Sequence, residues 1–161
     1  MRKKLSHFGK NGHARMLDVS AKPSTLRIAR AQATVRIKDS VLQQLPNNPK
    51  GNPFEVARIA GIAAAKKTSE LIPLCHPLLL SHVDVEITVE KGGLRILASA
   101  TTTGPTGVEM EALTAAAVAA LTVYDMTKAM DRSIEIRELY LVEKSGGKSG
   151  HYTRAAEQAK A

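Results

Sequence analysis

The stretch that decides the fold is residues 82–102, His-Val-Asp-Val-Glu-Ile-Thr-Val-Glu-Lys-Gly-Gly-Leu-Arg-Ile-Leu-Ala-Ser-Ala-Thr-Thr. Its first arm alternates without a break. Val83, Val85, Ile87 and Val89 fall on one side, and Asp84, Glu86, Thr88 and Glu90 on the other. A period of two belongs to a strand with one face buried and one face wet. Lys91, Gly92 and Gly93 make a turn, and residues 94–102 return as the second arm of a hairpin. The apolar face of such a hairpin needs a cover, and the flanking sequence supplies helices. Residues 54–67 read as a helix rich in Ala and Ile. Residues 108–130 read as a long helix whose middle is almost entirely Ala, Val, Leu and Thr.

Further outward, residues 26–37 alternate over much of their length as another strand, and residues 134–143 form a last one. Residues 39–45 are expected as a short helix capped by Asp39 or Ser40. Residues 46–53 are expected as a Pro/Asn loop, and residues 101–107 as a Gly/Thr loop. The order strand, helices, strand, strand, helix, strand is the split βαβ pattern. It predicts an α+β ferredoxin-like sandwich, an antiparallel sheet with helices packed on one face. The other face meets solvent or a second subunit. A single domain spans residues 1–161, with flexible ends at about 1–14 and 146–161.

Composition narrows the function. A chain of 161 residues with 43% hydrophobic and 24% charged residues is globular. No apolar run reaches the ~20 residues of a membrane span, and the basic start Met1-Arg-Lys-Lys4 has no apolar segment behind it. A lone cysteine, Cys75, fits a reducing compartment, so the expected location is the cytoplasm. The net charge of +8 implies an anionic partner. Aromatics are 3%, too few for the stacking platforms that single-stranded nucleic acid uses. A small phosphorylated ligand therefore fits better than RNA. Part of the charge sits in the tails, where charge is commonly just solvated.

Residues 71–80, Leu-Ile-Pro-Leu-Cys-His-Pro-Leu-Leu-Leu, hold the first candidate group. Pro73 and Pro77 prevent regular structure and make a stiff frame around His76. The imidazole is either a ligand-binding group or a core histidine satisfied by a carbonyl. The long helix holds the others. Glu109 and Glu111 lie in its first turn, where the helix dipole by itself favours negative charge. Asp125 and Lys128 are three apart at its far end, as a surface ion pair also is. Glu111 and Asp125 share a face but stand roughly 21 Å apart along the axis. A small-molecule site that uses both ends must take them from two copies of the helix.

Two motifs fail. Lys144-Ser-Gly-Gly-Lys-Ser-Gly150 has the Gly-Lys-Ser of a phosphate-binding loop, but Val142 stands where that motif needs glycine. Lys144 and Lys148 remain as mobile positive charges. His76, His82 and Cys75 match no common zinc spacing, and no metal is assigned. Cys75 reads as a structural thiol.

Taken together, these residues closely resemble the cyclic pyranopterin monophosphate synthase family, the molybdenum cofactor biosynthesis protein C family. The resemblance covers most of the chain. It rests on Ser6-His7, Ala14-Arg-Met-Leu-Asp-Val-Ser20, Thr25-Leu-Arg-Ile-Ala-Arg30, Ala57-Arg-Ile-Ala-Gly61, Leu71-Ile-Pro-Leu-Cys-His-Pro-Leu78, Thr106-Gly-Val-Glu-Met-Glu-Ala-Leu-Thr114, Tyr124-Asp-Met-Thr-Lys128 and Lys144-Ser-Gly-Gly-Lys-Ser-Gly150. Asn52-Pro53 departs from an expected Asp and aliphatic residue, and Thr127 from a frequent Cys.

The resemblance implies a homohexamer, a trimer of dimers, with the site at a subunit interface. It implies a GTP-derived substrate, (8S)-3′,8-cyclo-7,8-dihydroguanosine 5′-triphosphate, rearranged to cyclic pyranopterin monophosphate with release of pyrophosphate. No electrons are exchanged, so no cofactor is implied beyond a Mg²⁺ that could travel with the triphosphate. Lys128 is the implied general acid/base, with Asp125 orienting it and Lys50 acting on its charge. Arg27, Lys144 and His76 are implied to hold the phosphates. Glu109, Met110 and Glu111, with Cys75 beside His76, complete the substrate-binding set. The rival reading is a basic ferredoxin-like RNA- or phosphate-binding module without catalysis.

Overall fold

The computed structural model describes residues 12–155. The alternating stretch forms the hairpin of β2 (Leu80–Glu90) and β3 (Gly93–Gly104), with Val85 opposite Ala98 and Ile87 opposite Ile96. Next to β3 lies β1 (Thr25–Arg36), and next to β1 lies β4 (Glu135–Ser145), both antiparallel to their neighbours. A two-residue β5 (Tyr152–Thr153) pairs with Glu143 and Lys144. The sheet order is β2-β3-β1-β4-β5, the ferredoxin-like order with one strand added at an edge.

One face is covered by α2 (Pro53–Ala65) and α4 (Glu109–Thr127). Beneath them lie Ala29, Ala31, Ala33 and Val35 of β1 and Leu94, Ile96, Ala98 and Ala100 of β3, all buried. Small residues on both sides bring α4 close to the sheet. Ala112, Ala115, Ala116, Ala119 and Ala120 are fully buried. α2 also approaches α4 closely. A Cβ on Gly61 would sit 2.9 Å from the Ala115 carbonyl oxygen and 3.3 Å from the Ala119 Cβ. The expected burial of the alanine-rich helix is thus met by the sheet and by α2.

The boundaries differ from expectation for identifiable reasons. The helix expected at 39–45 is α1 (Asp39–Leu42), with extended Lys38 at its N-cap and no side-chain cap from Asp39 or Ser40. Asp39 instead enters the first turn, where its charge suits the dipole. Pro46 is the second residue of a 3₁₀ turn, Leu45–Asn47, and Pro53 is the first of α2. Both prolines occupy first-turn positions, where a missing N–H costs little. Asn52 caps α2, its side-chain oxygen accepting from the Phe54 amide at 2.9 Å, so the Asn52-Pro53 departure keeps a good helix start. α2 stops at Ala65, and α3 (Thr68–Leu71) leads into Pro73. Residues 101–104 belong to β3 and not to a loop, because β1 supplies partners from Ile28 to Thr25. β4 carries a bulge near Glu138, whose φ is +52°, and its register to β1 shifts there.

The C-terminal segment to residue 155 runs beside β4. The Arg154 amide donates to the Val142 carbonyl at 2.8 Å, and its guanidinium lies 4.3 Å from the Tyr140 ring centroid. Most of the ends expected to be flexible, and the Ser6-His7 landmark, fall outside the described residues.

Candidate active site

Strand alternation builds one end of the site. Ala29 faces the helices, so Arg27 and Thr25, two and four positions earlier, face them too. Lys144 is the cross-strand partner of Ala29 and points the same way. These side chains converge below the first turn of α4. Lys144 Nζ lies 3.0 Å from Glu109 Oε1 and donates to Ser149 Oγ at 2.8 Å. Arg27 Nη2 donates to the Pro105 carbonyl at 3.4 Å. Gly146 and Gly147 turn over Arg27 with φ of +96° and +70°. A Cβ on Gly146 would strike the Leu26 carbonyl, and one on Gly147 the Arg27 guanidinium, so two glycines are what let the turn lie there.

Together these residues line a cavity of about 560 Å³, into which Lys22 and Lys148 also project positive charge. Four cationic side chains face one carboxylate, Glu109, in its lining. Thr25 Oγ1 and Arg27 Nε are buried there without a hydrogen-bond partner among the described residues. Buried polar atoms are normally satisfied. Those two, with the excess positive charge, suit an anionic ligand rich in acceptor oxygens.

Glu111 is 4% exposed in the next part of the same turn. Burial, with a smaller contribution from Glu109, pushes its carboxyl above the usual range against the opposing hydrogen bond from its own amide. It sits near Cys75, whose thiol is pushed up first by burial and then by Glu111. Met110 is 36% exposed and points outward. His76 is half-buried, and its Nε2 lies 2.7 Å from the Leu17 carbonyl. A carbonyl only accepts, so Nε2 carries a proton in this contact.

The other end of α4 carries a second cluster. Asp125 Oδ1 lies 2.7 Å from Lys128 Nζ, and its Oδ2 3.3 Å from Lys50 Nζ. Lys50 also donates to the Asp125 carbonyl at 2.9 Å. Lys50 is held in place by Asn48. The buried Asn48 amide donates to the Met126 carbonyl at 2.9 Å and accepts from the Lys50 amide at 2.9 Å. The loop thus satisfies carbonyls that the helix end leaves open. The hydrogen bond with Asp125, and then its charge, hold the Lys128 ammonium above its ordinary pKa, while Lys128 and then Lys50 hold Asp125 below its own. An acid/base lysine is better served by a lowered value. Within one protomer the Asp125 partner sets the direction.

The structure therefore brings Arg27, Glu109 and Lys144 together, places Cys75 with Glu111 nearby, and gathers Lys50, Asp125 and Lys128 at the far end of α4. It does not join the two ends within one chain. Lys144, expected to be mobile, is fixed in β4 by its partner Ala29 and by Glu109. Lys22, Thr25 and Asn48 were missed. Their roles come from where β1 and the loop before α2 land, and neither leaves a spacing signal in the sequence.

The sequence has relatives among known proteins. A family model described as the MoaC family matches residues 16–147, which takes in the cationic cavity, the Cys75–Glu111 neighbourhood and the Asp125 cluster. The chain belongs to the MoaC family. Its relatives include proteins named cyclic pyranopterin monophosphate synthase 1 from Mycobacterium bovis and from Mycobacterium tuberculosis. Each is 57% identical over 155 residues, covering 94% of this chain and 91% of the relative. In this MoaC-family member, every side chain of both clusters except Lys148 and Ser149 lies within the matched span.

Proposed function

We propose that the chain converts (8S)-3′,8-cyclo-7,8-dihydroguanosine 5′-triphosphate to cyclic pyranopterin monophosphate and pyrophosphate. It is a MoaC-family enzyme, a lyase of molybdenum cofactor biosynthesis. The observation that carries the substrate reading is the cavity under the first turn of α4, where Lys22, Arg27, Lys144 and Lys148 outnumber Glu109. A triphosphate supplies the acceptors such a cavity lacks, and the same charges stabilise the leaving pyrophosphate. The RNA- or phosphate-binding alternative is not favoured, since the relatives are named as synthases.

The rearrangement opens the imidazole-derived ring, closes a pyran-fused pterin, and lets a ribose-derived hydroxyl attack the α-phosphate. These steps move protons and no electrons. We assign proton movement to Lys128, its orientation to Asp125, and charge adjustment to Lys50. Glu109 and Glu111 bind the guanine-derived ring, with Met110, Cys75 and His76 around it. The reading needs no resident cofactor; a Mg²⁺ accompanying the phosphates would enter with the substrate.

The two clusters sit at opposite ends of one helix, roughly 21 Å apart by helix rise. We therefore place each site between two subunits of a homohexamer, one giving the phosphate-binding end and the other the Lys128 end. No helix among the described residues is long and apolar enough to cross a membrane. We place the enzyme in the cytoplasm.

The test is pyrophosphate release, with the pterin product identified by mass spectrometry, for wild type beside Lys128→Met. Wild type is expected to turn over, and the variant to assemble normally while losing at least about a hundredfold in rate, as removal of a general acid/base does. Near wild-type turnover by the variant would remove Lys128 from the chemistry.

A further inference from the structure

Beyond the cavity, β4 runs into a hairpin whose second arm, β5, is only two residues long. The chain leaves β4 at Ser145 and turns through Gly146 and Gly147, with Gly150 soon after, all three at positive φ. Gly147, Lys148 and Ser149 line the cationic cavity, and Ser149 Oγ accepts from Lys144 Nζ at 2.8 Å. The Gly150 amide donates to the Gly147 carbonyl at 3.1 Å. β5 then returns with Tyr152 opposite Lys144 and Thr153 opposite Glu143. Three glycines make this loop costly to order, and so short a strand offers few ladder bonds to offset that.

Arg154, just after β5, ties the returning arm to β4. Its amide donates to the Val142 carbonyl at 2.8 Å, and its Nε to the Leu141 carbonyl at 3.3 Å. Its guanidinium lies over the Tyr140 ring, 4.3 Å from the centroid. That ring is itself held, since Gln32 Nε2 of β1 donates to the Tyr140 hydroxyl at 2.9 Å. Gln32 stands between Ala31 and Ala33, which face the helices, so Gln32 and its partner Tyr140 lie on the opposite face of the sheet. Tyr140 and Arg154 are therefore outside the cavity lining, yet they close the hairpin that carries part of it. Arg154 also lies past residues 16–147, the span that the family model matches.

We propose that Arg154 and Tyr140 are positioning residues: their contact latches the β4–β5 hairpin and so fixes Lys148 and Ser149, and through Ser149 the Lys144 ammonium, at the cavity. The inference rests on the triphosphate substrate proposed above and adds what orders the loop that receives it. A cation over an aromatic face is a stabilising contact that needs both partners. When a binding-competent loop is populated only in part, apparent affinity falls by that fraction, while the chemistry of the bound complex is unchanged. Loss of the latch therefore acts on KM and spares turnover at saturation.

The experiment uses the full chain with Arg154→Met, Tyr140→Leu, the double variant and Tyr140→Phe. The first arm is amide hydrogen exchange without ligand. Arg154→Met and Tyr140→Leu are each expected to speed exchange at Gly150 by about threefold or more, with the amides of the central strand β3 unchanged. Equal acceleration in β3, or none at Gly150, overturns the proposal. The second arm is pyrophosphate release from the 3′,8-cyclised dihydro-GTP. KM is expected to rise about three- to tenfold in each of these single variants, with kcat within about twofold. The double variant should be no worse than either, and Tyr140→Phe, which keeps the ring face, should stay near wild type. An unchanged KM, a fall in kcat in its place, additive losses in the double variant, or a loss in Tyr140→Phe equal to that in Tyr140→Leu overturns it. If wild type does not turn over this compound, the proposed substrate is wrong, and exchange at Gly150 decides the latch by itself.

Discussion

Lys128 rests as an ammonium. Its hydrogen bond to Asp125, and then the Asp125 charge, raise its pKa against a lesser opposing effect of desolvation. If Lys128 moves protons as proposed, its first act in the cycle is to give one, and it becomes a base only after doing so. Both partners are exposed in the protomer, so their pairing matters for protonation more than for stability. The pairing lasts between the two pKa values: it is lost as pH falls through the lowered Asp125 value and as pH rises through the raised Lys128 value. Asp125→Asn removes the two largest causes of the Lys128 shift. The alkaline limb of kcat/KM is expected to move to lower pH, measured by pyrophosphate release across pH. A limb that stays in place assigns it to another group.

At this scale the sequence shows unevenly. Arg27, Glu109 and Lys144 are legible because motifs resembling a known family contain them, and for Arg27 strand alternation also fixes the face. Thr25 and Lys22 are not legible, since one is an ordinary strand residue and the other an ordinary charged loop residue until the cavity forms around them.

At the level of elements, the C-terminal end of α4 depends on a loop far away in sequence. Asn48 gives the Met126 carbonyl a buried donor and fixes the Lys50 amide. Asn48→Ala leaves that carbonyl unpaired, which is expected to cost about 1–3 kcal/mol in denaturant unfolding. It also frees Lys50, so kcat should fall beyond what lost stability alone produces. A variant with full stability and full kcat would show the loop to be dispensable.

The β2–β3 hairpin was the most legible element, because one buried face imposes a strict period of two. Proline positions were the least legible. Pro46 and Pro53 look like loop residues by composition but lie in first helical turns, where proline is equally at home. The reach of β3 to Gly104 depends on β1 lying alongside, a fact that Thr101-Thr-Thr-Gly104 does not itself contain.

The whole molecule is organised around α4, which has the cationic cluster around Glu109 at one end and the Lys50, Asp125 and Lys128 cluster at the other. The helix spacing was readable from sequence, and a single site that uses both ends calls for a second copy. The composite site is the central claim, and complementation tests it most directly. Lys144→Met and Lys128→Met damage opposite ends, and each alone should release little pyrophosphate. Subunits of the two variants, mixed by joint refolding or co-expression, will assort into shared oligomers. If each site takes one end from each of two subunits, about one quarter of sites in an even random mixture carry both lysines, and pyrophosphate release returns to that extent. If mixed oligomers form and release remains at the level of the separate variants, each site is built from a single chain and the account is wrong.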